Sequence, residues 1–320
     1  MPKLARAVTR EYRTMIMDSH RWDRYVPRKG DIIICTYPKC GTTWTQRIVD
    51  LLVFEDPAPR ALMQISPWLD ATFFAPVEAN LAQLEAQTHR RFIKTHLPFD
   101  AVPLYDGVKY IHTARDGRDS CMSFHNHMIG FRPEMVERMR ASAGDDPRIK
   151  SRLAGETPAD PRDFYLGWIA EAEAEVTEEY GRDLPIFEFE NTYWRERKRD
   201  NVLLVHFSDL KADLEGEMRR IAGFLDISVP PHLMQDLARA ATFEDMKKNG
   251  DALMAEARFA WDRGADRFLN KGTNGRWKDV LNAGDLARYD ALVKKKWSMA
   301  TAAWMEGGRL KAGDPRTAAD

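Results

Sequence analysis

Residues 31–36, Asp-Ile-Ile-Ile-Cys-Thr, form an apolar run that reads as a buried strand and stops abruptly at Tyr-Pro-Lys-Cys-Gly, 37–41. Hydroxyl residues Thr42 and Thr43 follow, and then Trp44, Ile48, Leu51 and Leu52 repeat at helical spacing. A strand, a tight glycine turn and a helix opening on hydroxyls make an anion cradle. The first amides of the helix and the Thr42 and Thr43 hydroxyls donate, the helix dipole favours negative charge, and Lys39 adds a full positive charge. An ordinary Thr-capped helix shares part of this pattern, but Lys39 and Gly41 in the same turn favour the anion site. The loop is not a Walker A sequence, because its lysine precedes its glycine. Nor does it match a Cys-x5-Arg phosphatase loop, since Arg47 stands seven positions beyond Cys40.

Further strand-like runs lie at 91–95, 109–114 and 202–207, with helical periodicities between them: Leu210, Leu214, Met218, Ile221 and Leu225, then Leu286, Tyr289, Val293 and Trp297. Alternating strands and helices predict an α/β fold with a mainly parallel central sheet flanked by helices, as one domain over 1–306 with a flexible tail at 307–320. Ligands of such sheets gather beyond the carboxyl ends of the strands. Two more strand ends carry chemistry there. Lys94 and His96 close the run at 91–95, and histidine is the side chain suited to proton transfer near neutral pH. Arg115 follows the run at 109–114 and is suited to bidentate phosphate recognition, although a capping ion pair is the simpler reading.

Lys+Arg total 48 against 49 Asp+Glu, so no global basic field points to nucleic acid. Three cysteines, Cys35, Cys40 and Cys121, form no framework, and no stretch is apolar enough to span a membrane, which together predict a reduced cytoplasmic protein. Cys121, His125 and His127 do not share one helical face, so no metal site is expected. Residues 1–30 hold eight Lys/Arg against three Asp/Glu, with Lys3, Arg6, Arg10 and Arg13 near one helical face and Leu4, Val8 and Met15 near another. This predicts a basic surface helix docked by its apolar stripe, with weak membrane-surface contact as the alternative.

At 36–44 the string T-Y-P-K-C-G-T-T-W resembles the 5′-phosphosulfate loop of cytosolic-type sulfotransferases, usually T-Y-P-K-S-G-T-T-W, with Cys40 in place of serine. K-T-H-L-P at 94–98 is similar to the catalytic segment of the same family, and Arg115 with Ser123 eight positions on resembles its 3′-phosphate motif. Phe207 stands where a tyrosine commonly contacts adenine, A-T-F-E-D-M at 241–246 resembles T-S-F-x-x-M, and K-G-T-N-G-R-W-K at 271–278 resembles R-K-G-x-x-G-x-W-K with Asn270 replacing the arginine. Residues 21–98 also look like bacterial glycolipid sulfotransferases. The family's C-terminal dimer motif is not matched at Asn282, Ala283 and Ala287, so no dimer is inferred.

The resemblance implies a P-loop-like fold and transfer of a sulfuryl group from 3′-phosphoadenosine 5′-phosphosulfate (PAPS) to a hydroxyl acceptor, leaving PAP and requiring no metal. His96 would be the general base, Lys94 its charge-stabilising neighbour, and Lys39 the stabiliser of the leaving oxygen. Ser123 would restrain Lys39 until the acceptor arrives. The co-substrate would be bound by Lys39, Cys40, Gly41, Thr42, Thr43, Trp44, Arg115, Ser123, Phe207, Thr242, Phe243, Asn270, Lys271 and Gly272. Segments 67–80, 130–157 and 250–268, rich in Met, Phe and Trp, are expected to line the acceptor, a phenol, sterol or lipid alcohol. A nucleotide-dependent kinase and a non-catalytic nucleotide-binding regulator are the alternatives.

Overall fold

The structure is a computed structural model, described here for residues 1–144, 156–174 and 184–320. Its central sheet holds β2 (Ile32–Cys35), β3 (Phe92–Thr95), β5 (Lys109–Ala114) and β6 (Val202–His206) in the order β3-β2-β5-β6, all parallel. The expected strands are therefore present, β2 shortened by one residue at each end, β3 at its start and β6 at its end. A strand of period two sends neighbours to opposite faces. Ile32 and Ile34 enter one core with Ile48, Leu52, Met218 and Ile221, whereas Ile33 and Cys35 enter the other with Leu97, Phe99 and Tyr193. Burial on both faces explains why the β2 run is apolar without alternation.

Helix α1 (Thr42–Phe54) follows β2 directly and returns along the sheet. The helix after β5 spans Gly117–Met128 and starts on Asp116, whose side chain accepts from the Arg118 amide. The periodic stretch after β6 is two helices, Phe207–Ala212 and Leu214–Phe224. Asp213 separates them and caps the second by accepting from the Gly216 amide. Because every sheet strand runs the same way, the segments after β2, β3, β5 and β6 meet at one end of the sheet.

The amino-terminal expectation fails. No helix spans Lys3 to Met15; instead β1 (Leu4–Arg6) pairs antiparallel with β4 (Leu104–Tyr105). Arg6 donates to the Phe99 carbonyl and lies over its ring, and the Thr9 amide bonds the Asp100 carbonyl at 2.9 Å. Tyr12 and Met17 are buried. Long-range pairing and burial override a helical pattern that local spacing alone suggested, so the proposed basic helical face does not form. The segment 307–320 carries a short helix, Arg309–Ala312, and Arg197 donates to the Pro315 and Ala318 carbonyls and pairs with Asp320. No described helix is long and apolar enough to cross a membrane.

Candidate active site

The turn between β2 and α1 is left-handed at Lys39 (φ 68°) and at Gly41 (φ 112°). Such alternation curls successive amides into a concave, anion-binding arrangement. A side chain at Gly41 would be strained by this backbone and would also bring a Cβ to a tight 3.2 Å from the Phe207 ring. The Cys40 amide closes the turn on the Tyr37 carbonyl at 3.3 Å, which leaves the first α1 amides as the donors facing outward. Cys40 itself is fully buried, lies outside the cavity lining, and burial pushes its thiol well above the usual range. It is no nucleophile.

A cavity of about 710 Å³ opens at this end of the sheet. Apart from Cys40, every candidate site residue from the sequence lines it: Lys39, Gly41, Thr42, Thr43 and Trp44 from the first turn, Lys94 from β3 and His96 just after it, Arg115 and Ser123 after β5, Phe207 after β6, then Thr242, Phe243, Asn270, Lys271 and Gly272. These positions span more than 230 residues of chain, and the parallel sheet brings them together.

His96 Nδ1 lies 2.8 Å from the Thr36 carbonyl and 3.2 Å from the Thr36 hydroxyl, which in turn bonds Thr42. Donation to the carbonyl places the ring proton on Nδ1 and leaves Nε2 as a lone pair. The Trp68 ring meets His96 edge-on at 4.9 Å. Burial, together with Lys94 and Lys39, holds the imidazole well below its ordinary pKa. Lys94 stands with its ammonium 4.3 Å from the Trp68 ring centre, and desolvation lowers it to about 8. Lys39 falls to about 7 through desolvation and the nearby charges of Lys94 and Arg115. Buried cationic groups gathered in this way favour an anion among them.

Arg115 is buried, and its guanidinium donates to the Thr273 carbonyl at 2.7 Å and to Asn274 Oδ1 at 3.1 Å while lying 4.2 Å over the Phe207 ring. Asp119 anchors the same loop by accepting from the Gly275 amide at 2.7 Å. Trp44 donates to the Ala241 carbonyl at 2.7 Å and meets Phe207 edge-on, and Gly272 (φ 61°) lies so near Phe243 that a Cβ there would come within 2.5 Å of the ring. Thr242 caps the Phe243–Lys248 helix. Trp44, Phe207 and Phe243 thus supply aromatic surface beside the cationic pole.

Sequence reasoning missed several lining residues. Tyr12, Met15, Ile16 and Met17 come from the segment expected on the surface. Lys211 lines the cavity and donates to the Gly272 carbonyl at 2.8 Å. His127, weighed only as a metal ligand, lies 3.2 Å from the Lys39 ammonium, while Ser123, one turn earlier, makes no such contact. The three segments expected around the acceptor all contribute: Trp68, Phe73 and Phe74; Phe131 and Met139; Met254, Trp261 and Phe268. Of the second segment, 145–155 falls outside the described residues.

Residues 29–301 match the family profile described as the sulfotransferase domain. The chain is 33% identical over 320 residues to a glycolipid sulfotransferase of Mycobacterium bovis, covering 93% of this chain and 94% of that one. It is 25% identical over 292 residues to sulfotransferase 1B1 of Mus musculus, covering 88% of each. Among solved structures, retinol dehydratase in complex with androsterone and the inactive cofactor PAP superposes with a TM-score of 0.66 at 23% identity, covering 87% of this chain and 83% of that one. Mouse sulfotransferase SULT7A1 complexed with PAP superposes with a TM-score of 0.64 at 20% identity, covering 92% and 93%.

Proposed function

The chain belongs to the sulfotransferase family, and from that premise we propose that it moves the sulfuryl group of PAPS to a lipid-like hydroxyl acceptor with His96 as general base. The observation that carries this reading is the gathering of Lys39, Lys94, His96, Arg115 and Ser123 around one cavity. The donor set suits a nucleotide with anions at both ends. The first-turn amides and Lys39 would hold the 5′ end. Arg115, Ser123, Lys271 and the Gly272 backbone would hold the 3′-phosphate, and Trp44, Phe207 and Phe243 the base between them.

His96 Nε2 takes the acceptor hydroxyl proton as the acceptor oxygen bonds to sulfur. Lys39 stabilises the charge that grows on the bridging oxygen leaving with PAP, and Lys94 offsets charge near the reacting centre. A bound polyanion also neutralises the two lysines that depress His96, so the imidazole becomes a stronger base when co-substrate is present. This orders the chemistry: the base is weakest when there is nothing to transfer.

The apolar chamber formed by Met15, Ile16, Phe73, Phe74, Met139 and Met254 supports an acceptor with a large hydrocarbon part. The resemblance to glycolipid sulfotransferases favours a lipid alcohol over a small phenol. The three buried free cysteines support a reducing, cytoplasmic setting. Incubation with sulfur-labelled PAPS and a panel of lipid, sterol and phenol alcohols, with and without EDTA, tests the reading. Labelled, acceptor-dependent product formed equally in EDTA is expected. Failure of every acceptor, alongside Mg²⁺-dependent phosphate transfer from ATP, would establish the kinase alternative instead.

A further inference from the structure

Lys39 does not point freely into the cavity. Its ammonium rests 3.2 Å from His127 Nδ1 and 4.1 Å from the centre of the Phe268 ring. His127 is itself enclosed by rings, with Phe131 and Trp261 at 4.8 Å and Phe268 at 5.4 Å. The Trp261 indole donates to the His127 carbonyl at 3.2 Å, which secures the end of the Gly117–Met128 helix that carries the histidine. Phe131, Trp261 and Phe268 belong to segments that wall the acceptor side of the cavity.

While Lys39 is an ammonium, this contact has one polarity. The lysine ammonium donates, and a neutral His127 accepts through Nδ1 with its own proton on Nε2. Among the described residues, Lys94, Arg115 and His96 are the other charged or titratable groups that act on the pair, and the carboxyl that shares the cavity, Glu256, acts on Lys94. An aromatic residue would fill the same box equally well. What only a residue with a lone pair adds is a hydrogen-bond acceptor for Lys39.

We propose that His127 is a positioning residue that holds the Lys39 ammonium on the acceptor side until nucleotide and acceptor together draw it to the bridging oxygen. The idea rests on the sulfuryl-transfer reading for its consequence. In productive turnover the acceptor oxygen–sulfur bond forms, the bond from sulfur to the bridging oxygen breaks, that oxygen keeps the electron pair with Lys39 beside it, and the proton passes to His96. When water replaces the acceptor, the same cleavage yields PAP, sulfate and a proton. A lysine restrained away from the bridging oxygen slows that waste.

Two variants separate the hydrogen bond from the packing. His127→Phe keeps a ring and removes the acceptor, whereas His127→Asn places an amide oxygen near the position of Nδ1. In the nucleotide-free protein, acylation of Lys39 at pH 7, read by peptide mass spectrometry, is expected to rise at least threefold in His127→Phe and to stay within twofold of wild type in His127→Asn. With PAPS, the ratio of acceptor-independent hydrolysis to transfer is expected to rise at least fivefold in the phenylalanine variant and to be restored by asparagine. Equal Lys39 reactivity in all three proteins, or an asparagine variant indistinguishable from the phenylalanine one, overturns the proposal. If wild type neither hydrolyses nor transfers from PAPS, the sulfuryl-transfer reading fails, while the acylation series still decides whether His127 holds Lys39.

Discussion

The Nδ1 nitrogen of His96 lies 2.8 Å from the carbonyl oxygen of Thr36, the residue that follows β2 and begins the anion turn. One backbone position therefore orients the base and starts the cradle.

His96→Ala is expected to abolish transfer while leaving PAP affinity within a few-fold, because the imidazole contributes a lone pair to the chemistry and little to nucleotide binding. Kinetics beside direct PAP titration checks this. A variant that keeps most of its kcat removes His96 from the mechanism.

Proton linkage provides a test that needs no acceptor. Lys39, lowered to about 7 in the free protein, is largely neutral at pH 8, and an anion bound beside it restores the ammonium. PAP binding at pH 8 should take up protons, and affinity should fall as pH rises above about 7, approaching about tenfold per pH unit for one fully coupled proton. Calorimetry in buffers of different ionisation enthalpy measures the uptake. In Lys39→Met only the part linked to Lys94, lowered to about 8, should remain. Uptake unchanged by Lys39→Met would assign it elsewhere.

Arg115 is tied to the 273–274 loop, so it should read the 3′ end of the nucleotide. Arg115→Ala should weaken PAP by on the order of 1.5–3 kcal/mol and 5′-AMP, which lacks the 3′-phosphate, far less. Equal losses for both ligands contradict that assignment.

Asn270 brings no charge to this pole, and the structure sorts the nearby cations. Arg267 is held by both oxygens of Asp262, at 2.6 and 2.8 Å, whereas Arg276 is half-buried, lines the cavity and lies near Arg115. Arg276→Ala should therefore cost PAP affinity about as much as a charge-assisted hydrogen bond, and Arg267→Ala should cost little. Asn270→Arg should improve affinity only slightly. A silent Arg276→Ala with Asn270→Arg tightening PAP more than tenfold would mean that the charge has no substitute.

Gly272→Ala offers a steric test. Its backbone is left-handed at 61°, and the new Cβ would come within 2.5 Å of the Phe243 ring. Strain of about 1–3 kcal/mol and a displaced ring should lower PAP affinity tenfold or more while melting shifts only a few degrees. Unchanged PAP binding would show that Phe243 and this loop do not contact the nucleotide.

The strands and the anion turn were legible in the sequence because their determinants are local. An apolar run needs burial on both faces, and Lys39 and Gly41 sit in the two left-handed positions that make the turn an amide cradle. The order of the motifs along the chain was enough to bring Arg115 and Ser123 to the same cavity as Lys39, since strands of a parallel sheet deliver their ends to one edge. Tertiary structure alone decided the rest. Whether residues 4–15 coil or pair depended on β4, about a hundred residues away, and local periodicity carries no information about such a partner. The neighbour of Lys39 was settled the same way: helical spacing puts Ser123 and His127 on one face, but only the packing of Phe131, Trp261 and Phe268 turns the histidine toward the ammonium.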